Sequence, residues 1–345
     1  MNFASDNTAC AHPAVMAALV AANDGPMPAY GSDPVTARAE ALIRELLDAP
    51  EAAVRFVATG TAANALVCAQ LAPSYGRIYC HADAHVHRDE CGAPEFFSHG
   101  AKLVPVAGTQ GRLMPEALAG AIAAGDSGSL NDGQNALVSL TNATEWGTLY
   151  SPEQTAALVE VAHGAGLAVH LDGARFANAV AALRCAPADL VTRAGVDALC
   201  LGGTKNGAMA AEAVVILDPE RARGVDYRRK QAGHVWSKQR YLAAQMLGLL
   251  QDGLWLDLAG HANAMAAELS RGVVAAGGAL LVPTEANEVF ARIPQTAWAR
   301  AQQGGARFHL WQDTPPAPPD VAVRLVTSWA TTPEDVAALL RLLDA

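Results

Sequence analysis

The stretch Asp197 to Gly207, DALCLGGTKNG, is a short apolar run, a pair of glycines, and one lysine set between a threonine and an asparagine. A buried Val/Ile/Leu-type strand that breaks at a glycine turn delivers the next side chain to the carboxyl edge of a sheet, where open α/β sheets hold their ligands. Lys205 is therefore a candidate nucleophile, since small uncharged neighbours partly desolvate its amine. A lone lysine at a loop tip is more often simply solvated. The weight therefore falls on the residues around it.

Working outward, Leu167 to Arg175, LAVHLDGAR, is a second apolar strand, which ends on Asp172 and turns through Gly173. Two strand ends, one carrying an acid and the other an amine, can face one site. Pyridoxal phosphate requires such a pair: a lysine for the Schiff base and a carboxylate that keeps the pyridine nitrogen protonated. Its phosphate also needs a cradle. Val54 to Asn64, VRFVATGTAAN, supplies one, because a strand breaks at Gly60-Thr61 into an Ala-rich helix whose first amides and dipole hold a dianion. Each signal is common alone, and the three in this order are much less so.

With these motifs the chain resembles the threonine aldolases, β-hydroxy-amino-acid aldolases of the aspartate-aminotransferase-like pyridoxal phosphate fold. The carriers are SDNTACAHPAVMAAL, YGSDPV, TGTAAN, the stretch His85 to Glu90, HLDGAR, GGTKNG, RRKQAG and VRLVTSW, eight motifs in family order. The resemblance implies an α/β fold of the PLP-dependent transferase type. Its large cofactor domain, with a mostly parallel central sheet and an N-terminal arm, is expected over residues 1–250, and a smaller α+β domain over 251–345.

It also implies roles residue by residue. Lys205 holds the cofactor, Asp172 faces the pyridine nitrogen, Gly60, Thr61 and Arg175 make further cofactor contacts, and His85 stacks on the ring with Glu90 five residues on. Lys230 of the RRK patch reaches the cofactor phosphate of a neighbouring subunit. On the substrate side stand Arg324 and Arg175 for the carboxylate, assisted by Ser5, with Tyr30 in the family's YG-D pattern. Glu145 occupies the place where many threonine aldolases carry a second histidine, so it either accepts or only binds the substrate hydroxyl proton. His85, Glu90 through a water, and Glu145 all stand as candidate bases.

The expected activity is reversible retro-aldol cleavage of L-threonine, L-allo-threonine and related β-hydroxy-α-amino acids to glycine and an aldehyde. β-Elimination and transamination are the rival reactions on the same fold. The expected assembly is a dimer of dimers with shared active sites.

Composition narrows the partners. A net charge of -10 argues against a nucleic-acid or anionic-membrane surface. No apolar run is long enough to span a bilayer and no basic, apolar leader is visible, so a cytoplasmic location is expected. The cluster His81 to Glu90, HADAHVHRDE, matches no closed zinc spacing, and no metal is expected there. His81 and His87 are read as solvated loop residues. The six cysteines form no CxxC pair and are read as reduced, buried fillers.

Strand and helix signals alternate along the chain. A helical period covers Val35 to Leu47; strands are expected at Arg77–Cys80, Lys102–Val106, Ala136–Thr141, Leu167–Leu171 and Ala213–Leu217, with helices at Pro115–Ala124 and Pro152–Ala165. Long helices follow at Gln239–Leu250 and Leu254–Ala276. Beyond Gly277 come strands at Val289–Ile293, Arg307–Trp311 and Val321–Trp329, and a last helix capped by Thr332-Pro333-Glu334.

Overall fold

The structure, a computed structural model, describes residues 1–311 and 319–344. Among these residues the strands form two sheets. The larger holds β1 (Ala53–Val57), β2 (Gly76–His81), β3 (Lys102–Val106), β4 (Gln134–Thr141), β5 (Ala168–Gly173), β6 (Ala198–Gly202) and β7 (Glu212–Ile216), in the order β1-β7-β6-β5-β4-β2-β3. The run β3-β2-β4-β5-β6 is parallel, and β7 opposes both of its neighbours. Chain length explains the reversal. Only Gly203 to Ala211 separate β6 from β7, too few residues for a crossover, whereas helices such as Pro152–Gly164 occupy the links between parallel strands.

A mostly parallel sheet is the expected architecture, and helices on both faces turn its strands into continuous apolar runs. Every residue of β5, β6 and β7 is buried. Alternation then sorts the side chains: Leu199 and Leu201 join one core with Leu171 and Val215, while Cys200 and Val214 join another against Ala63, Leu66 and Val67 of the helix Gly60–Leu71.

The smaller sheet is antiparallel, with β8 (Ala279–Leu280), β9 (Glu288–Pro294), β10 (His309–Leu310) and β11 (Asp320–Val326) in the order β10-β11-β9-β8. The 22-residue helix Leu254–Ala275 joins the two cores, placing Trp255 and Leu258 in the first and Leu269 and Val273 in the second. The N-terminus also belongs with the small sheet. Phe3 is fully buried in its core, and the Phe3 amide donates to the Arg307 carbonyl at 2.7 Å. Burying that ring contributes about 1.5–3 kcal/mol and anchors Ser5, Asp6 and Asn7 over the large sheet's carboxyl edge.

Several local expectations are corrected. The strand expected at 307–311 is only His309–Leu310, and the one at 321–329 stops at Val326 because Ser328 and Thr331 hydrogen-bond each other in a turn. The basic stretch around Arg228 is a helix, Val225–Gln231, and short helices also form at His85–Arg88 and Ala93–Phe97. His81 is buried rather than solvated: its Nδ1 accepts the Asp83 amide at the end of β2, while His87 is exposed. Of the cysteines, all free, Cys68, Cys80 and Cys200 are buried, but Cys10 and Cys91 are exposed and Cys185 is half-buried. Among the described residues no helix is long and apolar enough to cross a membrane.

Candidate active site

The parallel strands β4, β5 and β6 end side by side, so the sheet register itself brings Thr141 beside Asp172, and Asp172 beside Cys200, three residues before Gly203. The chain then has to pass very close to the Asp172–Arg175 turn. A Cβ on Gly202 would meet the Ala174 carbonyl oxygen at 2.5 Å, and one on Gly203 the Ala211 carbonyl at 2.6 Å, which is why two glycines precede Thr204 and Lys205. Lys205 thereby enters a cavity of about 290 Å³ together with Thr59, Gly60, Thr61, Asn64, His85, Glu90, Glu145, Asp172, Arg175 and Glu212.

On one wall, the Asn64 amide nitrogen donates to Asp172 Oδ2 at 2.8 Å and to Glu90 Oε1 at 2.8 Å. The Ala174 amide donates to the other Asp172 oxygen at 2.9 Å. Glu90 Oε1 in turn meets His85 Nδ1 at 2.9 Å. That hydrogen bond raises the His85 pKa, with Asp172 adding to the effect against the opposing pull of burial. Burial pushes Glu90 up, against the lowering effect of His85 and Asn64. The result is a chain Asp172–Asn64–Glu90–His85 in which each polar group fixes the next.

Glu145 holds His85 from the other side. Its Oε1 accepts the His85 backbone amide at 2.7 Å and the Thr141 hydroxyl at 3.0 Å, and burial pushes its pKa up to about 7. Glu212, at the start of β7, accepts the Gly203 amide at 2.9 Å and is likewise pushed up to about 7 by burial.

Toward solvent the cavity continues into a mouth of about 370 Å³, lined by Ser5, Asn7, Asp83, Arg88, Glu288, Trp311 and Arg324 as well as His85, Glu145, Arg175 and Lys205. Arg175 is already engaged there. Asp6 takes its Nε at 2.7 Å and one terminal nitrogen at 3.0 Å, and Glu288 lies 3.4 Å from the other. Burial works against the Asp6 charge, but Arg175 and Lys205 outweigh it and hold the carboxyl below its ordinary range. Arg324 sits 5.8 Å from the Trp311 ring centroid, a cation–π distance, and its Nε has no hydrogen-bond partner among the described residues.

Two expected site residues lie elsewhere in the chain. Tyr30 and Lys230 share a separate cleft of about 540 Å³ with Arg55, Arg229 and Gln239, the Lys230 amine 5.1 Å from the Tyr30 centroid. Conversely, Asn64, Asp6, Glu212 and Glu288 stand in the site without having been singled out. Asn64 had a signal: it lies four residues after Gly60, one helical turn into the cradle helix, and so on the same face. Asp6 and Glu288 had none, since their partner Arg175 is far away in the chain, and Glu212, though only nine residues from Gly203, lies in an apolar strand without a motif.

The donor set in the main cavity fits pyridoxal phosphate. The Gly60 helix starts with amides that lack intrahelical partners, Thr59 caps it by accepting from Ala62, and no atom lies within 4 Å of where a Gly60 Cβ would stand, so an anion can approach. Asp172, held at both oxygens, suits a ring N–H, and Lys205 supplies the amine.

A family model described as beta-eliminating lyase matches residues 2–296. The chain is 42% identical over 341 residues to the low specificity L-threonine aldolase of Pseudomonas aeruginosa, covering 98% of this chain and 96% of that one. A low specificity L-threonine aldolase from a Pseudomonas sp. strain is 41% identical over 330 residues, covering 95% and 93%. Among solved structures, a Leishmania major threonine aldolase superposes with a TM-score of 0.93 at 28% identity, covering 99% of this chain and 98% of that one. A Sphingomonas wittichii serine palmitoyltransferase, at 15% identity and a TM-score of 0.73 over 100% and 86%, shares the fold alone.

Proposed function

The chain belongs to the β-eliminating lyase family, among its threonine aldolases, and on that premise we propose that it cleaves L-threonine, L-allo-threonine and related β-hydroxy-α-amino acids reversibly to glycine and an aldehyde, using pyridoxal 5'-phosphate. The observation that carries this reading is the meeting of Lys205, Asp172 and the Gly60 helix N-terminus in one cavity that opens onto Arg324.

When bound, the cofactor supplies an electron sink for the pair left behind as the Cα–Cβ bond breaks. Lys205 is the residue to which it attaches, and Asp172, oriented by Asn64 and the Ala174 amide, holds the ring proton. The Gly60 and Thr61 amides hold the phosphate. His85, with Nδ1 tied to Glu90, lines the cavity, where its ring would cover that of the cofactor. Arg324 binds the substrate carboxylate with the donors its planar guanidinium still has unengaged, and Ser5 lies beside it. Glu145 accepts the β-hydroxyl proton. A carboxyl near 7 is well matched to that task, whereas Glu90 already accepts from Asn64 and meets His85.

We also place Tyr30 and Lys230 in the site of a neighbouring subunit, within a dimer of dimers. Their own chain keeps them in a cleft apart from Lys205, and the clustered cations there suit a phosphate.

The deciding experiment measures aldehyde release from the four threonine stereoisomers and phenylserine, alongside ammonia and keto-acid release. Aldehyde and glycine in equal amounts from L-substrates are expected. Ammonia or a keto acid as the main product would transfer the chain to β-elimination or transamination.

A further inference from the structure

Glu288 is a buried carboxyl that the reaction above does not use. It opens β9 at 1% exposure, opposite Val326 of β11 and against Gly147, where a Cβ would come within 2.9 Å of its own. Its Oε2 is 3.4 Å from an Arg175 terminal nitrogen yet makes no hydrogen bond among the described residues. Arg324, on the neighbouring strand, has an unpartnered Nε, and both residues line the mouth of the site. Four charged groups act on Glu288: Arg175 after β5, Arg324 from β11, Asp6 from the N-terminal turn and Lys205 after β6, with Glu145 on the same mouth.

The charges do not balance once a substrate arrives. With Lys205 engaged by the cofactor, the cations left acting on Glu288 are Arg175 and Arg324; across the mouth Arg88 pairs with Asp83, and Asp89 lies beside them. Arg175 and Arg324 match Asp6 and one more carboxylate. A substrate carboxylate on Arg324 would be a third anion beside Glu288, in a buried place where two neighbouring carboxylates share a proton rather than both ionise. Burial already raises the pKa of Glu288, although Arg175 and Arg324 oppose it.

We propose, resting on the aldolase reading, that Glu288 is a proton-linked gate on the carboxylate subsite: ionised, it pairs with Arg175 and repels an incoming carboxylate, and protonated, it lets Arg324 take the α-carboxylate. Glu288 would thereby be a positioning residue that sets how amino-acid affinity depends on pH.

The test uses the holoenzyme and 3-hydroxybutyrate, which has threonine's carboxylate and hydroxyl but no amine, so that no proton from a substrate ammonium enters the count. Its competitive inhibition constant against L-threonine is measured from pH 6 to 9, with calorimetry in buffers of different ionisation enthalpy. In the wild type, affinity is expected to be flat at low pH and to fall by about tenfold per pH unit once Glu288 is ionised, with uptake approaching one proton per ligand bound. Glu288→Gln should flatten the profile and bind more tightly than wild type at pH 9, while Glu145→Gln, read by calorimetry because its turnover is low, should keep the slope.

A flat wild-type profile without proton uptake overturns the gate even if the Glu288 variant fails to fold. So does a slope that survives in Glu288→Gln, or one that vanishes in Glu145→Gln instead. A merely structural Glu288 would lower the melting temperature of the Gln variant and leave the slope unchanged. The two readings fail separately: aldehyde release with no proton linkage removes only the gate, and proton-linked binding with no aldehyde release removes only the aldolase assignment.

Discussion

Glu145 is held by two donors, the His85 amide and the Thr141 hydroxyl, yet burial still pushes its pKa up to about 7. As the proton acceptor it must be ionised. The group's folded pKa lies above its ordinary value, so the active form is lost as pH falls through about 7. The expected outcome is that kcat/KM rises about tenfold per pH unit below 7 and levels off above it, and that Glu145→Gln lowers kcat by roughly 10²- to 10⁴-fold. A plateau extending to pH 5.5, or a Gln variant with kcat within a few-fold of wild type, would assign the proton to another group. Lys205 and Asp172 were legible in the sequence because each closes or follows a local motif, whereas His85 and Arg324 were singled out only by the family resemblance. Asn64 was only half legible: its place in the helix was readable, but not that its one amide would bridge Asp172, 108 residues away, and Glu90, 26 away.

Strand β5 carries Asp172 to the site and a second polar group beneath it. His170, on the same face two residues earlier, is fully buried, with Nδ1 3.0 Å from the Ser139 hydroxyl on β4 and Nε2 3.2 Å from the Cys200 sulfur on β6. Burial lowers its pKa to about 4 despite the nearby Asp172 charge. The unfolded chain therefore binds the proton first. Stability is fully present above the ordinary histidine pKa of about 6.5 and declines as pH falls toward 4, by up to roughly 3 kcal/mol at 1.4 kcal/mol per pH unit. Urea unfolding of the protein at pH 7 and pH 5 should show this loss, and His170→Gln should remove a good part of it. An identical acid loss in the Gln variant would place the titration elsewhere. This layer was not visible in the chain order: HLDGAR advertises the aspartate, but that the histidine sits between Ser139 and Cys200 follows from the register of three strands.

Across the whole molecule, the cavity around Lys205 and the Tyr30–Lys230 cleft are separate within one chain. If the two meet across a two-fold axis, Lys205→Ala and Lys230→Ala each give nearly inactive protein, and the defects are complementary. Unfolded together in equal amounts and refolded, half of the dimers are hybrids, each with one intact site, so about a quarter of wild-type activity returns. Hybrids verified by mass spectrometry without regained activity would mean that both lysines serve the same chain's site.

Local physics was enough to place the strands that lead to Asp172 and Lys205, the turn at the glycine pair before Lys205, the helix start at Gly60 and the mostly parallel sheet. Sterics, periodicity and the dipole of a helix all act within a few residues of the backbone they shape. Tertiary structure alone decided which charges meet. Arg175 is engaged by Asp6 across 169 residues and by Glu288 across the junction of the two sheets, while Arg324 keeps its Nε unpartnered at the mouth. Phe3, from the start of the chain, is anchored in a core built mainly from residues beyond Met265. Such pairings depend on burial and on distances closed by packing. Buried charges exert their effects through space in a medium of low dielectric, and neither quantity is written in the order of the residues.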